Sequence, residues 1–166
     1  MKIGLLSDTH SILKSGIKDF FKDCDQIWHA GDWGSIEVYD ELKAICPIIK
    51  GVYGNIDGPT YHEAMPENQI FTVEKVKVLM THIGGYPGRY QPRVRKLIET
   101  EKPQLYIAGH SHILKVIYDK KHELLHINPG AAGKSGFHKI STAIRFEING
   151  GKIENLQIFE ISKQSL

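Results

Sequence analysis

The apolar run Ile3-Gly4-Leu5-Leu6 stops abruptly at Ser7-Asp8, and the same event recurs down the chain. Gln26-Ile27-Trp28-His29-Ala30 stops at Gly31-Asp32, the segment from Pro47 to Tyr53 at Gly54-Asn55, the run from Val76 to Met80 at Thr81-His82, and Gln104-Leu105-Tyr106-Ile107-Ala108 at Gly109-His110-Ser111-His112. Short apolar runs bounded by polar residues read as buried strands that end in loops. Between the early runs lie helical patterns. Ile12, Leu13, Ile17, Phe20, Phe21 and Cys24 recur at helical spacing and predict a helix over 12–23; a second follows Ser35 as N-cap through about Ala44. Alternating strands and helices deliver successive strand ends to one sheet edge, where α/β folds place ligands.

Beyond Gln69 the pattern turns β-rich. Ile70 to Val73 and Val76 to Met80 form a hairpin around Glu74-Lys75, a helix spans Pro92 to Glu101, and strands are expected over 114–118, 124–127, 141–148 and 152–161. Asn149-Gly150-Gly151 is a strong hairpin signal between the last two. With no internal repeat and no linker, residues 1–166 are expected to form a single domain. The expected architecture is a four-layer α/β/β/α sandwich, two mixed β-sheets packed face to face and flanked by helices.

Composition narrows the partners. The 21 basic and 19 acidic side chains are intermixed, so no long-range field points to duplex nucleic acid or to a membrane surface. The one basic stretch, Arg89 to Lys96, reads as a solvated helix start, with phosphate capture by Arg89 as the minor alternative; Tyr86, Tyr90 and the nearby arginines form at most a thin track for a single strand. Cys24 and Cys46 stand alone in apolar surroundings and read as reduced core thiols. Asp8 follows Met1 too closely for a signal-peptide core and no apolar run approaches a membrane span, so a cytoplasmic location is expected.

Each polar cluster alone is weak: Gly-Asp and Gly-Asn are ordinary turn pairs, and a histidine after a strand is more often packed than functional. Gly109-His110-Ser111-His112 is stronger, since two imidazoles flanking one residue can serve neighbouring sites. Taken together, Asp8, His10, Asp32, Asn55, His82, His110 and His112 form a set of oxygen and imidazole donors large enough for two divalent cations that share a carboxylate.

The ordered motifs Asp8-x-His10, Gly31-Asp32, Gly54-Asn55, His82 and Gly109-His110-x-His112, together with an Asn128-Pro129-Gly130 loop, resemble the calcineurin-like metallophosphoesterases, in particular their small YfcE-type phosphodiesterase branch. The resemblance implies that Asp8, His10, Asp32 and His112 hold a first metal and that Asp32, Asn55, His82 and His110 hold a second, with Asp32 the bridge. Asp32, Asn55 and His110 would then take part directly in catalysis. It further implies hydrolysis of a small or flexible phosphodiester by a hydroxide bridging two cations about 3.5–4 Å apart. The mixed donors favour Mn²⁺, with Fe²⁺, Ni²⁺ or Zn²⁺ as alternatives, and no thiolate enforces zinc. A competing reading is a protein-interaction scaffold with little catalysis, similar to the retromer subunit of this architecture; a homo-oligomer is compatible with either.

One departure stands out. Many family members carry histidine directly after Gly-Asn, whereas this chain has Ile56 followed by Asp57. Isoleucine cannot donate a proton, so substrates with good leaving groups should be favoured. Asp57 reads as a loop cap or as an orienting group rather than a proton donor. His29 reads as packed or supporting the ligand loops, and His62, His122, His126 and His138 as surface or strand residues.

Overall fold

A computed structural model describes residues 1–164. The first half alternates strongly: β1 (Lys2–Leu6), α1 (Ser15–Phe21), β2 (Gln26–His29), α2 (Ile36–Ile45), β3 (Ile49–Gly51) and α3 (Pro59–Ala64). There follow β4 (Asn68–Val73), β5 (Val76–Thr81), α4 (Pro92–Glu101), β6 (Leu105–Ile107), β7 (Leu114–Asp119), β8 (Leu124–Pro129), β9 (Ile140–Asn149) and β10 (Lys152–Ser162). One sheet has the order β10-β9-β1-β2-β3 and the other β4-β5-β6-β8-β7. Both are mixed: β1, β2 and β3 run parallel, as do β5, β6 and β8, while β9 and β7 join antiparallel.

The strand period of two sorts side chains between layers. Ile3 and Leu5 of β1 pack with Val78, Met80, Ile107 and Phe146 in a core between the sheets. Leu6 and Ile27 face the other way, against Ile17 and Phe21 of α1 and Leu42 of α2. On the far side, Val94 and Ile98 of α4 cover Leu79, Tyr106 and Leu124. These three cores make the expected α/β/β/α layering. Gly4 belongs to the same logic: a Cβ there would lie 2.8 Å from Phe21 Cδ1, so the strand needs glycine where the helix crosses it.

Two local expectations are corrected, and one helix is added. Helix α1 begins at Ser15 rather than residue 12, because Asp8, His10 and Ser11 adopt φ of 55°, 46° and 70° and the chain turns through Ile12 N–H to Thr9 O before a helix can start. Ser35 sits at the N-cap of α2 but makes no capping bond through its side chain; its own N–H donates to Ser11 Oγ instead. Helix α3 was not anticipated. Its Pro59 at the first turn, after Gly58, is a helix-start signal that the short apolar content of the segment hid. Helix α4 and the turn at Gly150 and Gly151, both with positive φ, match expectation. No helix among the described residues is long and apolar enough to cross a membrane.

Candidate metal centre

All five strand-end clusters meet at one place. Asp8 and His10 follow β1, Asp32 follows β2, Asn55 follows β3, His82 follows β5, and His110 and His112 follow β6. Parallel neighbours share a direction, so β1, β2 and β3 discharge their loops at one edge, and β5 and β6 do the same in the facing sheet.

The loops themselves are tightly wound. Asp8, His10, Asp32, His110 and His112 all have left-handed backbones, with φ of 55°, 46°, 57°, 68° and 59°. Each such non-glycine residue costs on the order of 1 kcal/mol or more, and clustering of that kind marks a site whose geometry is held by its surroundings. The glycines before the ligands have a second reason. A Cβ on Gly31 would lie 2.6 Å from His82 Nδ1, and one on Gly54 would lie 2.8 Å from Asp32 Cγ. One on Gly109 would lie 3.1 Å from Asp8 Oδ2 and 2.8 Å from Ala30 O. The loops are stacked on one another, and only glycine leaves room.

Two donor groups result: Asp8, His10 and His112 in one, Asp32, His82 and His110 in the other. Asp8 Oδ1 lies 3.1 Å from His112 Nε2 and 3.9 Å from His10 Nε2. Asp32 divides its oxygens, Oδ1 at 3.2 Å from His82 Nε2 and Oδ2 at 3.6 Å from His10 Nε2. Asn55 Oδ1 stands 3.1 Å from His82 Nε2 and joins the second group. The structure therefore brings together all seven residues singled out from the sequence.

Hydrogen bonding separates the holding edges of these side chains from the working edges. Asp8 Oδ2 accepts from Ser7 Oγ at 2.6 Å and from His110 N–H at 3.1 Å. Asp8 Oδ1 and His10 Nε2, by contrast, are two of the few buried side-chain atoms without a hydrogen-bond partner among the described residues. Orphaned buried polar atoms are rare and point to a bound group. His82 Nδ1 donates to Ala30 O at 2.7 Å, which aims Nε2 at the centre, the orientation expected of a metal-binding imidazole. A cation between the two groups would satisfy the orphaned atoms, so the residues fit divalent metal.

Electrostatics point the same way. Burial pushes the Asp32 carboxyl up, but the hydrogen bond and charge of His82, helped by Ile56 N–H, outweigh it and hold Asp32 below the usual carboxylate range. Burial likewise pushes His82 down, while Asp32 and Asp8 more than compensate and raise it. His110 is lowered, by burial first and then by His82. The pocket thus keeps its carboxylate ionised and favours positive charge near His82.

The supporting residues explain several readings. His29 accepts from Gly31 N–H at Nδ1, so Nε2–H donates to Thr9 Oγ1, which in turn donates to Trp33 O; His29 is fully buried and stacks on Trp33. Asp57 caps two ligand loops, accepting from Gly34 N–H at 3.0 Å and from Gly54 N–H at 2.7 Å. Burial raises its pKa, with those bonds opposing. Asn128 was noticed only as part of a loop; it donates to Gly109 O and Ser111 Oγ and accepts from Gly130 N–H, pinning the His110 loop. Ser7, which fixes Asp8, had no sequence signal.

Two residues of the candidate single-strand track are engaged elsewhere. Tyr90 is buried and donates to Asp119 Oδ2 at 2.7 Å, and Arg93 is engaged with Asn68, Ile83 O and Glu67. Cys24 and Cys46 are both buried and free, and burial pushes the Cys24 thiol up to about 12, so the reading of inert core thiols stands. His62 and His138 are exposed and His122 is half-buried, whereas His126 is buried in β8.

Residues 1–151 match the model of the calcineurin-like phosphoesterase superfamily domain. The chain belongs to that superfamily. Among calcineurin-like relatives, it is 30% identical over 136 residues to a protein of Methanothermobacter thermautotrophicus named probable metallophosphoesterase, covering 79% of this chain and 77% of the relative. It is 29% identical over 145 residues to a protein of Methanocaldococcus jannaschii named a phosphodiesterase, covering 78% and 83%. Among solved structures, Vps29 of Entamoeba histolytica complexed with Zn²⁺ superposes with a TM-score of 0.77 at 15% identity, covering 99% of this chain and 100% of that one, a likeness of fold alone. Family membership makes this calcineurin-like chain a phosphoesterase with candidate metal ligands.

Proposed function

We propose that this protein is a phosphodiesterase that works with two adjacent divalent cations, Mn²⁺ foremost. The observation that carries the reading is the division of Asp32, which turns one oxygen to His82 and the other to His10 while Asp8 Oδ1 and His10 Nε2 lie buried without a hydrogen-bond partner among the described residues. Asp8, His10, Asp32 and His112 would hold one cation; Asp32, Asn55, His82 and His110 would hold the other. Bound there, the cations supply Lewis acidity toward the phosphoryl oxygens and a water nucleophile active near neutral pH.

The chain's own groups do the rest. Two carboxylates against two dications leave the centre net positive, which suits a singly charged phosphodiester. His110 and Asn55 are exposed, unlike Asp8 and Asp32, so they face incoming substrate across the mouth of the site. Ile56 stands where many relatives have histidine, and its side chain is 47% exposed with no proton to give. Its backbone N–H instead holds Asp32 Oδ1 at 3.1 Å. Departure of the leaving group is therefore unassisted from that position, and aryl esters should be turned over best.

The scaffold reading draws on fold likeness only, and orphaned buried ligand atoms are of no use to a scaffold. The test is hydrolysis of an aryl phosphodiester by protein loaded with Mn²⁺, before and after chelation, beside Asp32→Asn. Activity lost on chelation, restored by metal and abolished in the variant is expected. No turnover with any divalent ion, or near-normal turnover by Asp32→Asn, would sink the proposal.

A further inference from the structure

The edges of the two sheets are not equally protected. β3 is three residues long, β4 carries Asn68, Gln69 and Thr72, and β10 is bulged between Glu154 and Gln157 and carries Glu154 and Glu160. Short length, polar or charged side chains and bulges are the usual means of keeping an edge from pairing with another chain. The middle of β7 has none of them. β7 pairs with β8 on one side and, among the described residues, with no strand on the other, and Val116, Ile117 and Tyr118 follow one another at 41%, 45% and 57% exposed. Lys115, the charge before them, turns its ammonium onto the Tyr86 ring, 3.7 Å from the centroid, rather than across the edge.

The hydrogen-bonding side of each β7 residue follows from its neighbours. In an extended strand the N–H and C=O of one residue point the same way, and successive residues alternate. Leu125 N–H donates to Gln104 O and Ile127 O accepts from Ala108 N–H, so these two residues of β8 face β6. His126 and Asn128 therefore face β7, where the register sets them opposite Ile117 and Lys115. The N–H and C=O of Val116 and Tyr118 are left pointing to the open edge. The same register sorts the side chains. Val116 and Tyr118 share the inner face with Ile127 and Leu125, which belong to the core between the sheets, while Lys115, Ile117 and Asp119 share the outer face with Leu124, beneath α4. The end of the strand is fixed in advance, since Asp119 accepts from Tyr90 Oη at 2.7 Å and from Lys121 N–H at 2.9 Å.

We propose that β7 is the seam of a symmetric dimer, in which a second copy of this chain adds its own β7 antiparallel across the open edge, about a two-fold axis at Ile117. In that register the strand is complementary to itself. Val116 meets Tyr118 of the second copy with the N–H and C=O of both residues facing the seam, so the pair exchanges main-chain hydrogen bonds and the two-fold repeats it. Their side chains make β-branched and aromatic pairs on the inner face. On the outer face Ile117 meets Ile117 of the second copy, and Lys115 falls opposite Asp119, its opposite in charge. Neighbouring registers lose this match: an axis at Val116 sets Lys115 against Ile117, one at Tyr118 sets Val116 against Lys120, and one at Lys115 sets two lysines face to face. The two five-stranded sheets would become one continuous sheet across the seam.

Sedimentation velocity of the full chain between about 1 µM and 0.5 mM should show monomer passing to dimer, since a seam of one strand pair lies at the small end of specific interfaces. Ile117→Lys sets two like charges against each other on the axis and should weaken association by about a hundredfold or more. Val116→Pro removes an N–H that only the second copy would use and should weaken it by about tenfold, while the ladder to β8 keeps its bonds. Ile48→Lys, at an isoleucine exposed to a similar degree elsewhere, should leave it unchanged. The register has its own readout. Facing residues of a non-hydrogen-bonded antiparallel pair have Cα atoms about 4.5 Å apart, within disulfide reach, so Ile117→Cys should give an oxidised dimer on a non-reducing gel. Lys115→Cys, about 13 Å from its counterpart, should not. Cys24 and Cys46 are buried and add little background. A dimer equally strong in both Ile117→Lys and Val116→Pro, or a cross-link formed as readily by Lys115→Cys, would overturn the proposal. So would a monomer at every concentration, which would leave the edge to a strand of another protein.

Discussion

Gly54→Ala isolates how the loops set the metal centre. The glycine lies outside the left-handed region, so alanine brings no backbone strain, and the whole effect is steric. The added Cβ would lie 2.8 Å from Asp32 Cγ and closer still to Asp32 Oδ1 and N. Carbon atoms in contact want about 3.5–4.0 Å, so Asp32 or the Gly54 loop must move by about 1 Å. Asp32 cannot rotate away freely, because Ile56 N–H holds Oδ1 and His82 and His10 crowd both oxygens. Overpacking of this kind costs about 1–3 kcal/mol of stability, and a misplacement of about 1 Å at reacting groups costs on the order of a hundredfold in rate. Gly58→Ala is the matched control, since a Cβ there meets nothing within 4 Å among the described residues. Diester hydrolysis at saturating Mn²⁺ and urea unfolding should show both losses for Gly54→Ala and changes within about 0.5 kcal/mol and threefold for Gly58→Ala. If Gly54→Ala keeps activity within threefold and stability within about 0.5 kcal/mol, the account of stacked loops is wrong.

Three further outcomes follow from the same geometry. Asp57→Ala strips acceptors from Gly34 N–H and Gly54 N–H, and should cost about 2–4 kcal/mol in urea unfolding while Asp57→Asn recovers part of it; equal losses would refute the capping role. His126 binds its proton near pH 4 when folded and near 6.5 when unfolded, so the unfolded chain takes up the proton first and stability falls as pH drops from 6.5 toward 4. The loss should approach about 3 kcal/mol, and that part of the pH slope should vanish in His126→Gln; an unchanged slope would contradict it. Ile56→His keeps the backbone bond to Asp32 and adds an imidazole at an exposed position, so it should raise turnover of alkyl diesters by about tenfold or more and leave p-nitrophenyl esters nearly unchanged; a uniform effect on both would count against a missing proton donor.

The donor set was legible in the chain because its chemistry lies in residue types: two aspartates, an asparagine and four histidines, each after an apolar run whose period and length mark a buried strand. The layer order followed from the alternation of strands and helices, and α4 and the Asn149-Gly150-Gly151 turn from local signals. Tertiary contact decided the rest. Left-handed Asp8, His10 and Ser11 delay α1, which no helical periodicity could reveal, since the strain is sustained only by bonds to Asp32 O and Trp33 O on another loop. The glycines of Gly31-Asp32 and Gly54-Asn55 look like turn chemistry, yet they are needed because a neighbouring loop occupies the space of a Cβ. Tyr90 reads as available for stacking in sequence but is tied by the fold to Asp119, and His126 reads as an ordinary strand residue but is set by β8 in the lining of a cavity. Sequence carries which groups can bind and react; long-range packing determines which of their edges stay unpaired, because an unpaired edge is defined by neighbours distant in the chain.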